Sequence, residues 1–420
     1  MRAHTSTGTS IARAELVERY RRARARTRSL FEIPVEEAYY DRPISLRNPI
    51  VFYEGHLPAF SVNTLVKLAR KEPGIDSRLE SLFERGIDPE DETAVRDPAE
   101  MWPSRAEVQE YGSAADALVE RALLDLDDDP LQIEAANAVV EHELIHQETL
   151  LYMLHNLPWD RKREVQDAFR APVSPPPPAA VAATVRIPAG SATLGADRSS
   201  FGWDNEFPRH VVDVPPFEID RLNVTNGDYL ESLAATGAAP PHFWTKVDGT
   251  WFWRGMFALT PLPLDAPVYV THDEASAYAR WKGKRLPTEP EYHRAAFGTP
   301  EGDERLYPWG DDPADPTRGH FDFAAPDPVP AGSFPAGASA WGVHDLIGNG
   351  WEWTATLFDG FRGFRPMEAY RLYSADFFDR QHYVMKGASP VTSRELIRRS
   401  LRNWFRPDYP YVYATFRCAR

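Results

Sequence analysis

The 420-residue sequence predicts two domains of unlike class, a four-helix bundle followed by a loop-rich α+β domain. Three observations carry this. Apolar residues recur at helical spacing through about the first 156 residues, in stretches separated by turn signals. The segment Pro172-Val173-Ser174-Pro175-Pro176-Pro177-Pro178 then interrupts the chain as a stiff spacer. Beyond it the texture changes to short apolar runs, turn residues and many aromatics. The expected organisation is a helical domain over 1–170, a Pro-rich linker over 171–184 and a second domain over 185–420, with no internal repeat.

Within the helical domain, residues 1–10 are polar. From Ile11 to Phe31, Leu16, Tyr20, Leu30 and Phe31 share one side of a helix, and the many Arg opposite form a solvated face. Residues 50–60 are mostly apolar and open a second helix reaching about Ala69. His56 sits inside that run, where a lone imidazole is ordinarily a satisfied core residue. Residues 73–105, dense in Gly, Pro and acids, are expected to be irregular. Ser104-Arg105-Ala106-Glu107 resembles a capping box and starts a third helix to about Leu126, which Asp127-Asp128-Asp129-Pro130 ends. The fourth helix runs from about Leu131 to Asn156.

That last helix carries the most informative stretch. His142 and His146 stand four residues apart, about 40° around the helix, one above the other. Their flanks (Ala135, Ala136, Val139, Val140, then Leu150, Leu151, Met153, Leu154) are of buried character, and a buried pair of imidazoles needs partners. His142-Glu143-x-x-His146 matches the zinc-protease signature, with Glu143 as general base. A third zinc ligand ten residues after His142 is missing, because Tyr152 stands there, although Glu164 could serve. The alternative third ligand is His56, which would give three imidazoles. Glu148, about 200° around the helix from His146, cannot share the ion and is expected either to anchor neighbouring helices or to support a ligand from behind.

Composition bounds the partners. A net charge of −15 argues against nucleic acid or anionic membrane. The content is that of a folded soluble protein, 43% hydrophobic with 12 Trp. One cysteine, Cys418, excludes an internal disulfide. No apolar run approaches membrane-spanning length and no hydrophobic signal core opens the chain, so a cytoplasmic location is expected.

The second domain carries an ordered series of motifs. They are Ile187-Pro188-Ala189-Gly190, Asn205-Glu206-Phe207-Pro208-Arg209-His210, Val224-Thr225-Asn226, Trp281 to Glu291, Tyr307-Pro308-Trp309-Gly310, Gly348 to Thr354, Lys386-Gly387-Ala388-Ser389 and Phe416-Arg417. Together they resemble the formylglycine-generating-enzyme (sulfatase-modifying-factor) fold, which is C-type-lectin-like. The resemblance implies that most of these residues hold turns and bury aromatics, with Arg285 and Glu291 as structural ion-pair partners. Formylglycine generation itself uses a cysteine pair, and a chain with one cysteine lacks it.

A DinB-like bundle with His…His-x-x-x-His joined to this domain is similar to the ergothioneine-pathway sulfoxide synthases and their ovothiol and selenoneine relatives. With no methyltransferase segment following, the shorter ergothioneine-type members are the expected match. The resemblance implies iron(II) on His56, His142 and His146, with open positions for cysteine sulfur, substrate imidazole and dioxygen. It implies C–S bond formation between cysteine and the imidazole C2 of hercynine (Nα-trimethylhistidine), with oxidation to a sulfoxide. A tyrosine would be proton donor, Tyr373 first and Tyr383 next. Asn403, Trp404 and Phe405 fall on the substrate-binding segment, and an aromatic face there suits a quaternary ammonium. Members using γ-glutamylcysteine carry an acid and an Arg where this chain has Phe405 and Tyr409, so cysteine is the expected donor. Ile145 replaces a Gln that contacts substrate in well-studied members. Arg96 and Arg105 are candidates to clamp a carboxylate. Other readings are a selenoneine synthase taking a selenosugar and a zinc metalloprotease with no role for residues 185–420. A non-catalytic binding module, indifferent to loss of His56, is a further one.

Overall fold

A computed structural model describes residues 5–84, 101–166, 168–170 and 183–420. Contacts divide the chain into two compact units, residues 1–168 with 367–371, and residues 169–366 with 372–420. The first break falls between residues 168 and 169, and the short segment 367–371 joins the helical unit. The polyproline segment lies outside the described residues.

The helical unit contains α1 (Thr5–Leu30), α2 (Ile50–Ser61), α3 (Ser77–Leu82), α4 (Arg105–Leu124) and α5 (Pro130–His155). Local chemistry sets the ends. Ser104 accepts a hydrogen bond from the Glu107 amide at the start of α4, and Asp129 accepts from the Gln132 amide at the start of α5, where Pro130 occupies the first turn. Every residue of α2 except Glu54 is buried, so this helix is enclosed all round. Pro58 withholds one amide from its ladder. The helix then continues as a wider π-helical stretch, Val62–Ala69, closed by the Arg70 amide on the Leu65 carbonyl. The region expected to be irregular contains α3, because Asp76 caps it by accepting from the Arg78 and Leu79 amides, and Leu79 and Glu80 are buried.

A buried polar network fixes the rotation of α5. Arg24 on α1 donates from Nε to Asp116 (2.7 Å) and from Nη1 to Glu143 (2.9 Å), and Tyr20 donates to Asp116 (2.9 Å). One turn on, Gln147 Nε2 donates to the Ala23 carbonyl (2.8 Å) and to Thr27 (3.0 Å). Glu143 and Gln147 therefore form the stripe that meets α1. His142 and His146, one residue earlier on each turn, lie on the adjacent stripe, and their rings meet His56 of α2.

Among the described residues the second unit has four small sheets. β1 (Thr184–Ile187) pairs with β4 (Phe217–Asp220), and β2 (Gly190–Leu194) with β3 (His210–Val214). β5 (Trp244–Val247), β6 (Thr250–Arg254) and β7 (Leu259–Pro261) form an antiparallel three-stranded sheet. β8 (Gly350–Leu357), β9 (Tyr383–Ala388), β10 (Asn403–Phe405) and β11 (Ala414–Thr415) are ordered β10-β9-β8-β11, with β11 parallel to β8. Three helices complete the unit: α6 (Asn226–Thr236), α7 (His272–Trp281) and α8 (Glu289–Phe297).

The sequence motifs here are structural, as their residue types suggest. Arg285 grips Glu291 through two hydrogen bonds (2.7 and 2.6 Å), and Glu291 completes the capping box with Thr288 that starts α8. Gly348, Asn349 and Gly350 all have positive φ, and the Asn349 amide pairs with both backbone groups of Val329. Glu352 binds Arg417 bidentately (2.7 and 2.6 Å) in full burial, and Trp353 Nε1 donates to the Val270 carbonyl. No helix among the described residues is long and apolar enough to cross a membrane.

Candidate metal centre

Three imidazoles converge inside the helical unit. The nitrogens that His56, His142 and His146 can offer all lie within 4.8 Å of one another. Their ring centroids are 5.2 Å (His56–His142), 5.1 Å (His56–His146) and 4.4 Å (His142–His146) apart. His56 is oriented from outside its own helix: its Nδ1 is 2.9 Å from the Phe83 carbonyl at the end of α3. That contact places the ring proton on Nδ1 and leaves Nε2 as the lone-pair nitrogen. Gly55 permits the approach, since a Cβ there would lie 2.3 Å from the Phe83 ring.

Donor chemistry suits a borderline transition metal. His142 Nε2 and His146 Nδ1 are buried without a hydrogen-bond partner. Burial first, then the neighbouring imidazoles His146 and His56, hold His142 well below the ordinary imidazole range. Burial, His56 and the Arg47 charge do the same for His146. Both are therefore neutral at pH 7, with lone pairs ready for a cation. Aromatic rings wall the site. Phe60 stacks on His142 (3.6 Å, 11°), Phe52 on His56 (5.0 Å, 17°), and Tyr53 lies tilted against His146 (6.0 Å).

Glu143 is not placed as a proton acceptor for a metal-bound water. Its carboxylate is almost fully buried and ion-paired with Arg24 in the network on α1 and α4. Glu164 is exposed and stands outside the three-histidine group. The arrangement thus lacks the base that a zinc protease of this signature would require, and its third ligand is the imidazole of His56 rather than Glu164. Glu148 is half-buried.

Besides Tyr53, a second tyrosine stands by the histidines, Tyr370, in the segment that joins the helical unit. Its ring meets Phe60 edge-on at 5.1 Å and His142 at 6.2 Å. Two curated proteins then bear on the whole arrangement. The hercynine oxygenase of Mycolicibacterium thermoresistibile is 35% identical over 311 residues, covering 68% of each chain. That of Mycolicibacterium smegmatis is 34% identical, covering 67% of this chain and 70% of its own. The chain belongs to the hercynine oxygenase family. Membership makes it an oxidative enzyme. Residues 19–155 match the DinB superfamily, and residues 170–420 match the sulfatase-modifying factor enzyme 1-like domain. Ergothioneine biosynthesis protein 1 of Neurospora crassa is 27% identical over 92% of this chain, which spans 55% of that longer protein.

The other residues singled out in the sequence of this family member are dispersed. Tyr373 belongs to the second unit and stacks on Trp203 (4.0 Å, 22°). Tyr383, on β9, stacks on His272 (3.7 Å, 18°). Asn403, Trp404 and Phe405 are half-buried and form β10, paired with Met385, Val384 and Tyr383. Trp404 stacks on Phe358 (4.1 Å, 6°), with Tyr373 edge-on (5.5 Å) and Phe377 tilted (5.6 Å). Phe405 stacks on Tyr409 (5.0 Å, 15°). Arg105 tethers the start of α4: it donates to the Phe31 carbonyl (2.8 Å), pairs with Glu54 (3.5 Å) and lies over the Tyr39 ring. Arg96 lies outside the described residues. Sequence reasoning passed over Arg47, whose charge reaches His146 and whose guanidinium is 5.7 Å from the Tyr152 ring. Its signal was a cation just ahead of an otherwise apolar helix.

Proposed function

We propose that the chain is a non-haem iron(II), dioxygen-dependent sulfoxide synthase joining cysteine sulfur to the imidazole C2 of hercynine. The observation that carries the reading is the convergence of three imidazoles with no carboxylate among them, two buried and one half-buried, in a chain related to hercynine oxygenases. Iron(II) bound by His56, His142 and His146 would supply dioxygen activation and open positions for a thiolate and an imidazole. The protein's own part is positional. Phe52 and Phe60 exclude water from two of the ligand rings. Tyr370 holds a proton at Oη on the His142 side and is the proton donor in this reading, in place of Tyr373 or Tyr383.

Trp404, with Asn403 beside it, offers the π-face for the trimethylammonium group. Arg47, whose charge reaches His146, is the seat for a carboxylate in this reading. The apolar Phe405–Tyr409 stack offers no charge to a γ-glutamyl group, which supports cysteine as the donor. Anaerobic iron(II) reconstitution, followed by hercynine, cysteine and then oxygen, should give the sulfoxide by mass spectrometry. Absence of turnover with cysteine, γ-glutamylcysteine and a selenosugar donor would overturn the reading. His142→Ala should abolish stoichiometric iron binding; an unaltered iron content would remove it from the ligand set.

A further inference from the structure

Residues 367–371 interrupt the sequence of the second domain yet pack with the helical unit. Within them Met367 and Ala369 are buried and Glu368 is exposed, in a bend and turn that pack with the helical unit. A polar contact ties this segment to α5 by its backbone. The Ala369 amide donates to Glu134 Oε2 at 2.8 Å. Glu134 lies on α5 eight residues before His142, with Ala138 fully buried between them at successive four-residue steps along one face. Among the described residues Glu134 pairs with no cation, so its carboxylate is committed to this amide.

Tyr370 is the next residue. Its ring meets Phe60 and His142 edge-on. A backbone hydrogen bond to a carboxylate is directional and fixes the main chain from which the next side chain extends.

We propose that Glu134 is a positioning residue: by fixing the Ala369 amide to α5, it holds Tyr370 against the His142 imidazole. The proposal rests on the reading of Tyr370 as proton donor. The carboxylate takes no part in the chemistry. It sets where the phenol stands, and misplacement of an acid by about 1 Å is enough to cost about 100-fold in rate.

Glu134→Ala should lower kcat at least about tenfold, with KM for hercynine and cysteine and the iron content unchanged. Glu134→Gln keeps an acceptor oxygen and should retain most of the rate. The double variant Glu134→Ala/Tyr370→Phe should be no slower than Tyr370→Phe alone, because both act through one phenol. Hydrogen exchange at the Ala369 amide, followed in the iron-free protein, gives a readout independent of turnover. Protection should be lost in Glu134→Ala and kept in Glu134→Gln. If the alanine variant fails to fold, Glu134→Asp, which retracts the carboxylate by one methylene, should show the same rate loss and the same loss of protection. Unchanged kcat and unchanged exchange in the folded variant would overturn the proposal, as would a double variant slower than Tyr370→Phe. Wild-type protein that turns over no donor, while Glu134 still controls exchange at Ala369, would instead refute the assigned reaction.

Discussion

Adding one methyl group at Gly55 tests how the metal centre is built. In Gly55→Ala the new Cβ would fall 2.3–2.5 Å from three atoms of the Phe83 ring. The ring cannot swing aside. It is fully buried and sits between Phe52 (6.3 Å) and Trp102 (6.2 Å). Alanine gains about 1 kcal/mol over glycine in a helix interior, whereas overpacking costs about 1–3 kcal/mol. The clash wins, and a net loss of about 1 kcal/mol should lower Tm by about 2–4 °C. The larger effect is on the ion. Phe83 can retreat only by carrying its carbonyl away from His56 Nδ1, now 2.9 Å distant. Loss of such an outer hydrogen bond typically lowers metal affinity about 10–100-fold. Competition titrations with iron(II) or cobalt(II) under anaerobic conditions would read this directly. Phe83→Leu in the same protein should recover part of the affinity by making room for the methyl group. If Gly55→Ala binds metal as tightly as the parent, the Phe83 carbonyl does not orient His56, and this account of the centre fails.

Three further outcomes are expected. Glu143→Ala leaves Arg24 without one of its two buried partners and should destabilise the protein by about 3–5 kcal/mol in denaturant titrations, while Glu143→Gln stays folded and active; an inactive but fully stable Glu143→Gln would restore the carboxylate to the chemistry. His320 is buried, its Nε2 is 3.0 Å from the Asp327 carbonyl, and burial pushes its pKa from 6.5 down to about 4. The unfolded chain therefore takes up this proton first, so stability falls as pH drops from about 6.5 to about 4, by about 3 kcal/mol for this group in full. Replacement by Gln should make Tm less steep across that window, and an unchanged slope would remove His320 as a cause. Finally, Trp404→Ala should raise KM for hercynine about tenfold and Trp404→Phe much less, with no such difference for histidine, which lacks the quaternary ammonium; equal effects on both substrates would show that Trp404 does not recognise the methyl groups.

Periodicity made the long helices legible, and side-chain chemistry marked their ends. Ser104 and Asp129 do at α4 and α5 what their types suggest. The three histidines were legible for a similar reason, since two share a helix face and the third sits in an apolar run where imidazole is costly. Helix α3 escaped notice because six residues hold too little periodic signal, and Asp76 works as a cap only once Leu79 has a core to enter. Tyr370 escaped for another reason. It stands three residues from Tyr373, in the same local texture, and nothing nearby in the sequence says which of the two joins the other unit. Arg47 lies in a non-helical connection, where no repeat assigns a side chain to a face. Relations between distant segments decide all three cases, and pattern reading sees one segment at a time.

Cys418 is 1% exposed, and burial pushes its thiol up to about 12. At neutral pH about one molecule in 100,000 then carries that sulfur as the reactive anion. In the proposed reaction oxygen and a foreign thiol meet, which carries the hazard of oxidising the protein itself. Here the chain's only sulfhydryl is withheld from both reagents, so neither a mixed disulfide nor a sulfenic acid should accumulate on it over many turnovers.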